Sequence, residues 1–419
     1  MASVHAYARG RLAARIFLCF AAAYFMSYAL RSVNAVLAPE LTVELTLTNA
    51  QLGSLTSAYF LAFAAMQLPL GVWLDRFGPR RVDALLLMVA AVGCGLFALA
   101  THFGILWLAR ALIGMGVSAA LMAALTAFRQ WFPPERQAQL NAWMLMVGTL
   151  GVLSATVPVR WALPAIGWRG VFWIAAALLA AAAAAIWLLL PRSREQPEGG
   201  VQTFAAAMGG YRQVFRHSHF WRLACTGALV QGSLLALQSL WIGPWLTTVL
   251  GFSPERSANI IFLFNLTLML CYLTIGWVAP RLDSSPAGLV RVVVYSTAAL
   301  IVFEIGIAIA WGGSAWLLWL GMGGAATLYS MVQPRVALVF PTEIAGRALT
   351  AFNLMMFSGV FLMQWGFGIV ADVFHAGGLA PDTAFRASML TLALLHAFGL
   401  ATIVLWPRWW PDPAIDRAG

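Results

Sequence analysis

The chain has 419 residues, 62% of them hydrophobic and only 10% charged, with a net charge of +10. Water-soluble domains carry about 25% charged residues, so a soluble fold of this length would have too little polar surface to cover its core. The apolar excess also excludes disorder and leaves a chain that crosses a membrane many times. All 25 basic residues are arginine. Without lysine there is no phosphate-binding GK[ST] loop and no Schiff-base chemistry, which excludes an ATP-driven pump within this chain. Cys19, Cys94, Cys225 and Cys271 lie singly in apolar runs, and the six histidines form no HExxH. No metal, cofactor or enzymatic activity is expected.

In chain order, apolar runs between charged or Pro/Gly breaks predict twelve spanning helices. They lie near 14–38, 50–73, 82–100, 105–128, 139–159, 170–190, 221–248, 258–278, 289–311, 315–338, 348–371 and 386–406. The first is long, contains Arg31 and ends in Pro-Glu-Leu, so it reads as a span and not as a cleavable leader. With a cytoplasmic N-terminus, nineteen arginines fall on the inner side and four (Arg160, Arg169, Arg256, Arg386) on the outer side. The positive-inside rule then places both termini in the cytoplasm and the chain in a cell inner membrane. The arginines are spread over short loops, so nucleic-acid binding is not expected.

The chain reads as two halves. Residues 1–190 form one six-helix bundle, 191–219 a polar linker rich in Gly, Pro and Arg, and 220–419 a second bundle. The segment from Gly71, GVWLDRFGPRR, has a weaker echo from Gly276, GWVAPRLDSSP. Phe132-Pro133-Pro134-Glu135 likewise recurs as Phe340-Pro341-Thr342-Glu343. The expected fold is an all-α membrane protein of twelve helices in two pseudo-symmetric bundles, with a path between them.

At Gly71–Arg81 the sequence resembles the major facilitator superfamily, whose loop between helices 2 and 3 reads G-x-x-x-D-R-x-G-x-R-R. The resemblance implies a latch in which Gly71, Asp75, Arg76, Gly78, Arg80 and Arg81 hold the halves together on the cytoplasmic side in the outward-open state. A topogenic positive loop is the alternative. Arg110-Ala111-Leu112-Ile113-Gly114-Met115-Gly116 is similar to the family's R-x-x-x-G-x-G on helix 4, with Ile113 where glutamine is common. Helix 5 lacks the Gly-Pro and Gly-Gly pairs of the drug–proton antiporters of this family.

A charge inside a span costs about 2.5–3.5 kcal/mol, so each invites a functional explanation. Arg31, Arg110 and Glu304 are the three that lie well inside predicted spans. Tyr24, Ser27, Tyr28, Arg31 and Asn34 share one face of helix 1. In the family's fold helices 1, 4, 7 and 10 line the central cavity, so Arg31 and Arg110 are expected to bind an anionic substrate. The Tyr28–Arg31–Asn34 group has some likeness to the organic anion–cation symporters, at a different spacing. The competing reading has Arg31 pairing with Glu40 or Glu44. Gln231, Gln238 and Trp241 on helix 7, and Asn353 and Gln364 on helix 11, complete the candidate pocket. Trp241 and Trp245 also suit an interfacial belt, and Asn353 and Gln364 interhelical hydrogen bonds. Glu304 is a possible proton site or a structural group, and His396 lies on peripheral helix 12.

These readings predict a secondary transporter of a small anionic organic solute, working as a monomer by alternating access with proton symport. Proton-driven efflux of drugs or metabolites is the alternative. Its partners are the solute, a coupling proton and the bilayer.

Overall fold

The structure is a computed structural model that describes residues 7–191, 204–278, 286–332, 336 and 340–409, with no strand among them. The crossings are α1 (Gly10–Ser32, resumed over Asn34–Leu45), α2 (Asn49–Phe77), α3 (Pro79–Leu99) and α4 (Phe103–Gly116, resumed over Ala120–Trp131). Next come α5 (Pro134–Ser154), α6 (Val157–Leu189), α7 (Ser218–Ala236, running on to Val249), α8 (Pro254–Val278) and α9 (Pro286–Ile309). The last are α10 (Leu317–Thr327), α11 (Thr342–Ala376) and α12 (Pro381–Trp409). Among the described residues, ten helices are long and apolar enough to cross a membrane. Pro134–Ser154 and Leu317–Thr327 take the fifth and tenth places in the order. A short helix, Phe204–Phe215, connects the two bundles. Residues 192–203, the loop 279–285 of the second-half echo, and Arg335 and Arg417 of the arginine tally lie outside the described residues.

Helix ends follow local chemistry. Thr48 and Gln51 form a reciprocal capping box at the start of α2. Gly78 has φ +75°, which an L side chain rarely adopts, and Pro79 follows it at the first position of α3. The chain thus reverses between α2 and α3 at the glycine that the latch motif carries. Two boundaries differ from expectation. The first helix continues past residue 38 to Leu45, interrupted only at Val33. The fifth and sixth runs are linked by helix starting at Val157, which breaks at Gly167 (φ +63°). In both places the short connection is itself wound into helix, which satisfies its backbone internally.

The motif on α4 explains how the first bundle packs. A Cβ on Gly114 would stand 2.0 Å from the Tyr59 carbonyl of α2, and one on Gly116 2.3 Å from the Ala90 nitrogen of α3. Only glycine lets α4 approach both neighbours this closely. Where these helices converge, α1, α2 and α11 meet along the seam between the bundles.

Candidate functional site

Arg31 sits on that seam, buried to 6% exposure. Its guanidinium carbon lies 4.3 Å from the Tyr28 ring centre and 5.4 Å from those of Phe63 on α2 and Phe357 on α11. One bundle supplies the cation and two rings, and the other supplies the third ring. Cation–π contact holds the charge at a cost far below that of bare burial. Arg31 Nε nevertheless has no hydrogen-bond partner. The carboxylates considered as its partners are committed elsewhere: Glu40 pairs with Arg160, and Glu44 accepts from Arg169 and from Trp168 Nε1 (2.6 Å). These last two bonds hold the Glu44 carboxyl below its usual range.

The other residues of the first-half group divide. Tyr24 and Tyr28 pack edge to face at 4.8 Å, and Gly148 of α5 leaves room for both. Asn34 Nδ2 donates to Thr56 Oγ1 (2.9 Å), while its Oδ1 is buried without a partner. Arg110 is fully buried within its own bundle, between Phe97 of α3 and Phe172 of α6. Its Nη1 donates to the carbonyl of Leu30 (3.0 Å), the residue before Arg31. Arg110 thus reaches the backbone of α1 from within its own bundle.

In the second half, Gln364 Nε2 donates to Ser239 Oγ (2.9 Å), and its backbone carbonyl accepts from Trp241 Nε1 (2.9 Å). Trp241 and Trp245 are 0% and 1% exposed, so they are interior side chains and do not face lipid as a belt. Gln238 Nε2 donates to Asn265 Oδ1 on α8 (2.7 Å), away from Arg31. Gln231 and Asn353 are half-buried. Glu304 is fully buried and bonded to His396 Nδ1 (2.9 Å).

The end of the molecule remote from the termini is stitched across the bundles. Asp372 of α11 accepts from the Asn49 backbone (3.2 Å), Asn49 Nδ2 (2.9 Å) and the Ala50 backbone (2.7 Å), so it caps α2 from the opposite bundle. Arg160 bridges Glu40 and Glu255. A Cβ on Gly53 would lie 2.6 Å from the Gln364 carbonyl, and one on Gly368 2.3 Å from that of Asn49. On Gly243 it would lie 1.9 Å from the Ala35 carbonyl. Pro39, four residues on, has no N–H to offer that carbonyl.

At the other end the latch residues face solvent. Asp75, Arg76 and Arg81 are exposed. Arg76 lies over its neighbour Phe77 (5.3 Å), and Arg80 donates to the Trp187 carbonyl within its own bundle (3.0 Å). The described residues give Asp75 no hydrogen bond or ion pair, and nothing lies within 4 Å of a Cβ built on Gly71.

The sequence reading missed Tyr59, whose hydroxyl donates to the Ser27 carbonyl (3.0 Å) beside Arg31. It also missed Asp83, which it placed at the edge of a span. Asp83 is fully buried with neither oxygen bonded, so the first bundle does hold an acidic side chain.

Residues 20–364 match the family model described as Major Facilitator Superfamily. The chain belongs to this family. It is 28% identical over 248 residues to the hexuronate transporter of Escherichia coli K12, an alignment that covers 56% of this chain and 57% of that protein. The chain thus spans little more than half the length of that relative. It is also 25% identical to the gallate transporter of Pseudomonas putida, across 93% of this chain and 90% of that one. A bacterial homologue of the human lysosomal transporter Spinster, solved in an inward-facing and unoccupied conformation, shares the fold. The TM-score is 0.76 at 19% identity, covering 96% of this chain and 98% of that one.

Proposed function

We propose that this chain is a secondary transporter that carries a small organic carboxylate across the inner membrane by alternating access, as a monomer with both termini cytoplasmic. Arg31 carries the reading. It is a buried cation held by aromatic rings from both bundles, with an unpartnered Nε, while Glu40 and Glu44 pair with other arginines. A substrate carboxylate supplies the missing acceptor in a charge-assisted bond. Tyr28 and Asn34 flank it on α1, with Tyr24 one turn behind, and Gln231, Asn353 and Gln364 line the opposite bundle. Arg110 holds the backbone of α1 from behind, so that Arg31 keeps its direction. The named cargoes of the two relatives, hexuronate and gallate, are both carboxylic acids, which supports the same class here.

Bringing a monoanion into a cell at −100 mV costs about 2.3 kcal/mol, so accumulation requires a co-transported cation. Proton symport is the simplest source. The stitched end is then the outer gate, closed, and the free Asp75 end is the inner gate, open.

The test is uptake of labelled D-galacturonate and gallate into proteoliposomes. Arg31→Gln is expected to lower uptake by about tenfold or more, corresponding to about 1.4 kcal/mol or more of lost substrate interaction. Arg31→Lys, which keeps the charge and loses the fork, should fall in between. Wild-type rates in both correctly inserted variants overturn the reading.

A further inference from the structure

Glu304 of α9 and His396 of α12 are both 0% exposed, in the middle of the second bundle. His396 Nδ1 stands 2.9 Å from Glu304 Oε2, and its Nε2 3.2 Å from the backbone carbonyl of Leu229 on α7. A carbonyl only accepts, so Nε2 carries a hydrogen. Between Nδ1 and Oε2 there is then room for one further proton, whichever atom it rides on. With it the pair is neutral overall. Without it, a carboxylate faces the imidazole lone pair with both side chains wholly buried, which is strongly unfavourable. Glu304 Oε1 is also buried without a partner, so the environment offers nothing to an ionised Glu304 beyond the imidazole.

We infer that the Glu304–His396 pair is the binding site for the transported proton, and that α7 couples its release to alternation. The inference rests on the transport reading above. The Leu229 carbonyl ties the pair to α7, and α7 also carries Trp241 and Gly243 at the outer gate. α7 has one widened turn between these points, Leu237–Trp241, and a second just beyond them, Trp245–Val249, after Pro244. Such turns let a helix bend without losing its backbone bonds. Opening the outer gate pulls on α7, weakens the Nε2–H bond to Leu229 and admits water to the pair. The shared proton then leaves to that water, and the reverse motion takes one up. On α7, α9 and α12 the nearest other ionisable side chain is Cys225, one turn from Leu229. Arg222, Tyr295, Arg291 and Arg386 are seven or more residues away along their helices. From outside these helices, Tyr329 reaches α7 by donating to the Leu223 carbonyl.

The experiment compares two modes of transport in proteoliposomes, with labelled D-galacturonate and gallate as probes. Counterflow at equal pH requires no net proton movement. Accumulation under an inward gradient of about one pH unit reaches about tenfold for one coupled proton. Glu304→Gln and His396→Gln are each expected to retain counterflow and to lose the gradient-driven accumulation. Gradient-driven accumulation at the wild-type level in both variants overturns the inference. If one variant fails to insert, His396→Asn is read in the same way.

If the wild type moves neither probe, the transport reading fails, and the proton site is judged without substrate. Infrared difference spectra of wild type against Glu304→Gln identify the Glu304 band. That band is expected to shift on transfer to heavy water as the shared proton exchanges. A band that does not shift overturns the proton site on its own.

Discussion

The two ends of the seam between the bundles use the same helices differently. α2 and α11 run antiparallel, so each end of the seam brings the C-terminus of one against the N-terminus of the other. At the end remote from the termini Asp372, near the end of α11, caps the first turn of α2, and glycines at 53 and 368 let the backbones touch. At the end nearer the termini Asp75, near the end of α2, is exposed, and Gly71 has nothing packed on it. Both ends therefore carry an aspartate and a glycine near a helix terminus, but only one pair is in use. A glycine that permits close approach yet meets no neighbour is understandable if its neighbour arrives in another state. On the alternating-access reading proposed above, Gly71 and Asp75 are the idle half of a two-ended device, whose other half has no family motif to announce it.

The contrast is most severely tested at Gly243. A side chain there overlaps the Ala35 carbonyl, and such overpacking costs about 1–3 kcal/mol, a shift of about fivefold to 150-fold between states. Gly243→Leu is expected to hold the outer gate open. Maleimide labelling from outside of a cysteine placed at Thr247 should rise accordingly, and uptake should fall. Unchanged labelling would show that the contact does not close the gate.

A smaller effect separates the two aspartates. Asp372→Ala removes three hydrogen bonds at a helix N-terminus, worth about 1–2 kcal/mol, and should shift the balance toward the outward-open state. Asp75→Asn should shift it the other way, because the state that uses Asp75 is the one weakened. The same labelling measurement reads both, and shifts of equal sign would break the comparison.

The smallest effect belongs to Asp83, near the inner end. Asp83→Asn keeps the side chain's shape and removes only the charge that a buried carboxyl without a partner would have to carry. Thermal stability in detergent is expected to change by no more than about 0.5 kcal/mol. A loss of several kcal/mol would mean that Asp83 is ionised and paired.

Much of this was legible in the sequence. The apolar runs located the long helices, and Gly71–Arg81 carried the family resemblance. Periodicity brought Tyr28 and Arg31 together, as they are, whereas Asn34 lies beyond the interruption at Val33 and bonds to Thr56. What it could not give was direction across the bundle. Arg110 and Arg31 sit at similar depths, yet one turns inward to a carbonyl and the other toward the seam, because a helix crossing inside a bundle has polar opportunities on several sides. Asp83 was overlooked because a carboxylate four residues into a helix ordinarily reaches the surface, whereas tight packing of α3 on α4 at Gly116 encloses that face. The roles of Gly53, Gly243 and Gly368 were not legible, since each lies in a carbonyl more than 200 residues away (Gln364, Ala35 and Asn49), at positions any residue type can occupy.

The fit of Gly243 against Ala35 has a consequence for how such a protein can diversify. Pro39 strips a carbonyl of its usual donor in one half, and a missing methyl in the other half receives it. Neither substitution has a rationale by itself. A hybrid that joins this first half to the second half of a relative bearing a bulkier residue at that point would insert and fold, yet stay propped ajar on one side. The halves are thus bound to change in step, despite the duplicated look that suggests they are interchangeable.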